Sequence, residues 1–119
     1  MLTSAEVAAM AVKALDAKQA RDILVLKTDK ITVLADYFVI CTAGSTTHAK
    51  TLVEETEKQL SQVGEPPLRR EGQRSGSWIL LDFGCVVVHV FSQEMRDFYD
   101  LERLWSDAEI IDYNTMLDR

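Results

Sequence analysis

Four groups of residues in this 119-residue chain have types and spacings that suit chemistry. The first is Gly44-Ser45, between an apolar run and a helical pattern. Nucleotidyltransferases hold a triphosphate at such a junction, because backbone N–H groups at a helix start suit an anion. They also need paired carboxylates projecting from one strand to hold two magnesium ions. No Asp-x-Asp or Glu-x-Glu occurs on an expected strand, and Asp82 stands alone. The second group, Asp82-Phe83-Gly84, spells the kinase metal-binding triplet. A kinase also needs a Gly-rich loop, a Lys-bearing strand and a catalytic loop with Asp and Asn, and this chain is too short to hold them. The triplet reads as a hairpin turn.

The third group is Cys41, Cys85, His48 and His89. Cys85 and His89 stand four apart on one extended run, roughly 13 Å at the usual rise, which is beyond reach for a nucleophile and its base. No further His or Cys stands at ligand spacing, so no metal site is expected. His89 lies inside an apolar run and reads as a core histidine with one satisfied hydrogen bond. His48 falls in the first turn of a helix, where exposure is expected. The fourth group, Arg69, Arg70 and Arg74, is the only basic cluster. It reads as a solvated loop, with an anion or RNA contact as the alternative.

What remains is aromatic. Trp78, Tyr99 and Trp105 belong to the residue types that concentrate in binding hot spots, although plain core packing suits each of them too. Arg96, Glu102, Arg103 and Asp107 accompany them, giving an apolar centre with a charged rim.

The elements that must position these residues follow from periodicity. Thr3-Ser4-Ala5-Glu6 is a capping box, and Val7, Ala8, Ala11, Ala14 and Leu15 form a narrow stripe, so a helix is expected over about 4–17. Runs at 22–28 and 37–42 read as buried strands. A long helix capped by Ser45 or Thr46 carries Ala49, Leu52, Val53, Thr56, Leu60 and Val63, and ends at Gly64 before Pro66-Pro67. Leu68 to Glu71 reads as an edge strand. Trp78–Leu81 and Val86–Phe91 form a hairpin about a Gly-containing turn, with both faces covered because neither run alternates. Ser92 then caps a helix whose stripe is Met95, Phe98, Tyr99, Glu102 and Trp105. This order argues for an α/β or α+β chain with a mixed sheet packed by helices. The expected organisation is a single domain over 1–108 and a tail over 109–119 that docks on the domain or on a partner.

Composition narrows the class. The chain is 47% hydrophobic and 27% charged with only two cysteines, as in a reduced, cytoplasmic globular protein. No signal-peptide pattern opens it, and no apolar run approaches the roughly 20 residues of a bilayer span. Its net charge is −6, and eight acidic against three basic residues from Ser92 onward supply −5 of it. An acidic chain is poorly suited to a phosphate backbone and better suited to steering toward a basic protein surface.

Several motifs together, in order and in register over about 5–108, resemble the Iojap family of ribosomal silencing factors (RsfS). They are D-Y-F-V-I-C from Asp36, E-G at Glu71-Gly72, G-x-W-I-L-L-D-F-G from Gly76, V-V-V-H-V-F from Val86, and R-x-F-Y-x-L-E-x-L-W-x-D-A from Arg96. The resemblance implies a nucleotidyltransferase-like fold without the catalytic carboxylates, and no cofactor or reaction. It implies binding to the large ribosomal subunit through ribosomal protein L-fourteen, so that the small subunit cannot join and translation is repressed. Homodimers are also implied. Two positions depart from the family pattern: Cys85 stands where an acid is usual after the turn glycine, and the segment 46–50 lacks the usual Arg. Matched by motif position, the partner surface is expected at Trp78, Leu81, Asp82, Tyr99, Glu102 and Trp105. The readings from other classes are a nucleotide-handling enzyme at Gly44-Ser45 and an RNA-binding module at Arg69, Arg70 and Arg74.

Overall fold

The computed structural model describes residues 2–72, 77–98, 103 and 107–117. Helix α1 (Ser4–Ala17) starts where the sequence places it. Thr3 Oγ1 accepts from the Glu6 N–H at 3.2 Å, and Glu6 Oε1 accepts from the Thr3 N–H at 3.0 Å. Hydrogen bonding to Thr3, first from its backbone N–H and then from its side chain, holds the Glu6 carboxyl below its ordinary value. Strands β1 (Arg21–Lys27) and β2 (Tyr37–Ala43) follow, then helix α2 (Thr46–Gln62) and strand β3 (Arg69–Glu71). Next come strands β4 (Trp78–Asp82) and β5 (Val86–Ser92), helix α3 (Gln93–Phe98), strand β6 (Glu109–Ile111) and helix α4 (Tyr113–Met116).

The six strands form one sheet in the order β3-β4-β5-β2-β1-β6. β2 and β5 run parallel in its middle, and the remaining pairs are antiparallel. The expected mixed sheet packed by helices is therefore observed, as an α+β fold. The two central strands are almost wholly buried, which explains their unbroken apolar runs. β3 lies at one edge, as its preceding prolines suggested.

α1 and α2 pack against each other and on one face of the sheet. Their buried residues join Val25, Val39, Cys41, Ile79, Leu81, Val88 and Val90 in the larger core. The opposite face carries a smaller core of Leu26, Phe38, Ile40 and Phe91 with Ala35 and Ala108, flanked by Trp78, Val87 and Met95. Ser45 caps α2 by accepting from the His48 N–H. At its end, Glu65 N–H donates to Leu60 O and Gly64 N–H to Ser61 O, with Gly64 at φ +83. That pattern is a Schellman motif. It turns Val63 out of the stripe expected to bury it, and Val63 is 44% exposed.

The segment after Ala108, without periodicity in the sequence, adds to the sheet. Ile110 and Ile111 pair with Leu26 and Val25 of β1, and Ile111, Tyr113, Met116 and Leu117 pack on the larger core. No helix among the described residues is long and apolar enough to cross a membrane.

Candidate partner-binding face

Strand geometry sorts the residues of β4. Successive side chains point to opposite faces, so Trp78, Leu80 and Asp82 share one face and Ile79 and Leu81 the other. Register confirms this: Trp78, Leu80 and Asp82 stand opposite Phe91, His89 and Val87 of β5. Burial follows, with Ile79 and Leu81 buried under the helices and Trp78, Leu80 and Asp82 half-buried. Leu81, expected at the partner surface, is instead a fully buried core residue. Leu80 takes its place on the face of Trp78. A run of four apolar residues, W-I-L-L, gives no polar position from which to read the phase, so the sequence alone did not separate the two leucines.

Asp82 closes the hairpin. Its Oδ1 accepts from the Gly84 N–H at 2.8 Å, Gly84 adopts φ +86, and Phe83 N–H donates to Val86 O at 2.9 Å. Its Oδ2 lies 3.3 Å from Arg69 Nε. The Asp-Phe-Gly triplet is thus a turn, as read from the sequence. Behind Trp78 lies an aromatic cluster. Its indole sits 5.0 Å from the Phe91 ring, and the His89 ring stacks on Phe91 at 6.0 Å and meets Phe38 edge-on at 5.1 Å. Trp78 Nε1–H donates to His89 Nδ1 at 3.1 Å. His89 is a core histidine with this single bond, and burial pushes its pKa down to about 4. A hollow of about 340 Å³ beside Trp78 and Leu80 is bordered by Glu71 and Gly72.

α3 adds Met95 and Phe98 with Glu94 and Asp97, which line a second hollow of about 530 Å³. Ser92 caps this helix as expected, accepting from the Met95 N–H at 3.2 Å. Arg96 does not belong to a free charged rim. Its guanidinium donates to Asp22 O and Thr42 Oγ1, both at 3.0 Å, and so pins α3 to the sheet. Asp22 stands at φ +50 in a β1 bulge, an anchor that sequence periodicity does not reveal. Tyr99, Glu102 and Trp105, the other expected contact residues, lie outside the described residues, as does Arg74.

The alternative sites fare less well. At the junction before α2, Gly44 N–H donates to His48 Nδ1 at 2.8 Å and the His48 N–H to Ser45 Oγ at 3.0 Å. Two of the backbone donors at this junction are thus already engaged within the chain. His48, expected to be exposed, is half-buried, with Nε2 2.8 Å from Lys18 O. Arg70 makes a two-pronged pair with Glu57 at 3.0 and 3.2 Å, and Arg69 pairs with Asp82 and, at 3.7 Å, with Glu71. Both described arginines of the basic loop are thereby matched with acids, which weakens the RNA reading. Burial pushes the Cys41 thiol up to about 12, leaving it inert. Among the described residues, no three His, Cys, Asp or Glu are grouped to hold a metal ion.

Comparison with known proteins agrees with the motifs. The profile of a family described as "Ribosomal silencing factor during starvation" matches residues 1–119. A ribosomal silencing factor RsfS of Bacillus subtilis is 40% identical over 103 residues, 87% of each chain. A mouse protein named "Mitochondrial assembly of ribosomal large subunit protein 1" is 35% identical over 100 residues, 82% of this chain and 44% of its own length. A crystal structure of a Chromobacterium violaceum protein superposes with a TM-score of 0.86 at 35% identity, covering 88% of both chains.

Proposed function

The chain belongs to the family of ribosomal silencing factors, and from that premise we propose that it represses translation by occupying the large ribosomal subunit where the small subunit must join. The relatives are named for a regulatory role on the ribosome. The mouse relative is named for assembly of the large subunit, which favours that subunit as the partner. Ribosomal protein L-fourteen is the proposed contact, in the cytoplasm, and the mechanism is steric.

The observation that carries the reading is the asymmetry of the sheet. One face is sealed by α1 and α2, while the β4 end of the other presents Trp78, Leu80 and Asp82 half-buried. Tyr99, Glu102 and Trp105 of the following segment are proposed to extend that surface. Acids around it, Glu71, Glu94 and Asp97, suit a basic ribosomal protein. Aromatic and aliphatic groups at the centre with charge outside is the arrangement of a binding hot spot. A homodimer through the same face would compete with the ribosome.

The test is co-sedimentation with isolated large and small subunits, followed by subunit rejoining on addition of magnesium. Selective pelleting with the large subunit and fewer rejoined ribosomes is the expected result. Equal binding to both subunits, or unchanged rejoining despite binding, would sink the occlusion mechanism.

A further inference from the structure

Directly under the proposed contact residues of β4 sits a buried imidazole whose chemistry packing alone does not require. His89 is 5% exposed, and its Nδ1 accepts the indole N–H of Trp78 at 3.1 Å. An indole only donates, so Nδ1 carries no proton and the proton of the neutral ring resides on Nε2. That Nε2 is buried with no hydrogen-bond partner. A buried unsatisfied donor is destabilising. If the site served only to stack on Phe91 and meet the edge of Phe38, phenylalanine would do so without an orphaned donor. What imidazole adds over phenyl is one acceptor, and that acceptor is aimed at Trp78.

We propose that His89 is a positioning residue for Trp78: its Nδ1 sets the orientation of the indole on the sheet face that receives the ribosomal partner. The inference rests on the reading of that face given above. Its geometry is a diagonal one across the β4–β5 ladder. His89 stands opposite Leu80, and Trp78 opposite Phe91, so the hydrogen bond ties the two strands two residues out of direct register on a single face. The χ2 torsion of a half-buried indole has broad, roughly two-fold freedom, and a fixed acceptor selects one of its settings. Burial keeps the imidazole neutral throughout the neutral pH range, so the acceptor is always present there. The energetic penalty falls on Nε2, inside the protein, while the benefit falls on the exposed edge of Trp78.

The experiment is a double-mutant cycle with a spectroscopic control. His89→Phe keeps the ring and removes the acceptor, Trp78→Ala removes the contact, and the double variant combines them. Equilibrium binding of labelled protein to isolated large subunits is measured for all four proteins, with thermal melts to confirm folding. We expect His89→Phe to melt at or above the wild type and to bind about fivefold more weakly, the value of one hydrogen bond near 1 kcal/mol. In the Trp78→Ala background the same change should have no further effect on binding. Nitrogen-15 spectra of the wild type should show the Nε2–H tautomer, and a downfield Trp78 indole proton that moves upfield in His89→Phe. Full binding by His89→Phe, with Trp78→Ala impaired, would overturn the positioning role alone. An equal loss from His89→Phe in both backgrounds would do the same. Unimpaired binding by Trp78→Ala would instead remove the face itself. Should His89→Phe fail to fold, an Nδ1–H tautomer in the wild type would still refute the proposal.

Discussion

Leu80 and Leu81 are adjacent and chemically identical, and the sheet assigns them opposite duties. Leu81 is 0% exposed and belongs to the core beneath α1 and α2. Truncation to alanine leaves a cavity that packed neighbours fill only in part, costing about 2–5 kcal/mol. For a chain of 119 residues that lowers Tm by roughly 10–20 °C. Leu80 is half-buried on the other face, opposite His89, and part of its surface already meets solvent. Leu80→Ala should therefore cost about 1 kcal/mol or less, a shift of a few degrees. Binding should invert this order, with Leu80→Ala weakening association with the large subunit severalfold at a temperature where it is fully folded. Circular dichroism melts and subunit co-sedimentation of the two purified variants decide the matter. A Leu81→Ala variant that melts like the wild type, or a Leu80→Ala variant that melts lower than Leu81→Ala, would refute the assignment of faces.

Acid should expose His89. Burial lowers its pKa from 6.5 to about 4, so between these values the unfolded chain binds a proton that the folded chain refuses. Its contribution is complete above pH 6.5 and is lost as pH falls toward 4, about 3 kcal/mol in all; urea unfolding at pH 7 and pH 4 should show this loss in the wild type and its absence in His89→Phe, and equal pH dependence in both would contradict it. Asp82→Ala should cost about 1 kcal/mol in urea unfolding, chiefly from the lost Gly84 N–H bond, because the Arg69 side of the ion pair is largely exposed. A cost that vanishes in 1 M salt would show the ion pair to be the dominant part. Gly72 and Gly64 both have φ +83, but a Cβ on Gly72 would run into the Trp78 backbone carbonyl while Gly64 faces open space. Gly64→Ala should cost about 1 kcal/mol from backbone conformation alone, and thermal melts should place Gly72→Ala well below it.

What the sequence revealed of this fold was local, and what it hid was relational. Thr3 and Glu6 mark the start of α1 because a capping box is complete within four residues. Gly64 marks the end of α2 for the same reason. The parallel pairing of β2 with β5 has no such local mark, since it joins Tyr37 to Val86 across α2 and two further strands. β6 is hidden more deeply. Three residues carry no periodicity, and it is the β1 partners Val25 and Leu26 that make Ile111 and Ile110 a strand. Arg96 was legible as a cation on a helix but not as an anchor, because its acceptor at Asp22 exists only where β1 bulges.

The same distinction bears on the proposal that this sheet serves binding. The groups that suggest reactivity are occupied by the fold itself: the Gly44 N–H by His48, the Asp82 carboxylate by Gly84 and Arg69, the Cys41 thiol by burial. Each is satisfied in place, and recruiting any of them for chemistry would first break a structural contact. Trp78 differs, since its indole N–H is satisfied from beneath by His89 while the residue stays half-buried. A contact residue whose polar atom is already bonded within its own chain needs no hydrogen bond from a partner, and can pair with an apolar surface without leaving a donor unpaired. The partner opposite Trp78 is accordingly expected to present aliphatic or aromatic groups at that point, with its basic residues displaced outward toward Glu71, Glu94 and Asp97.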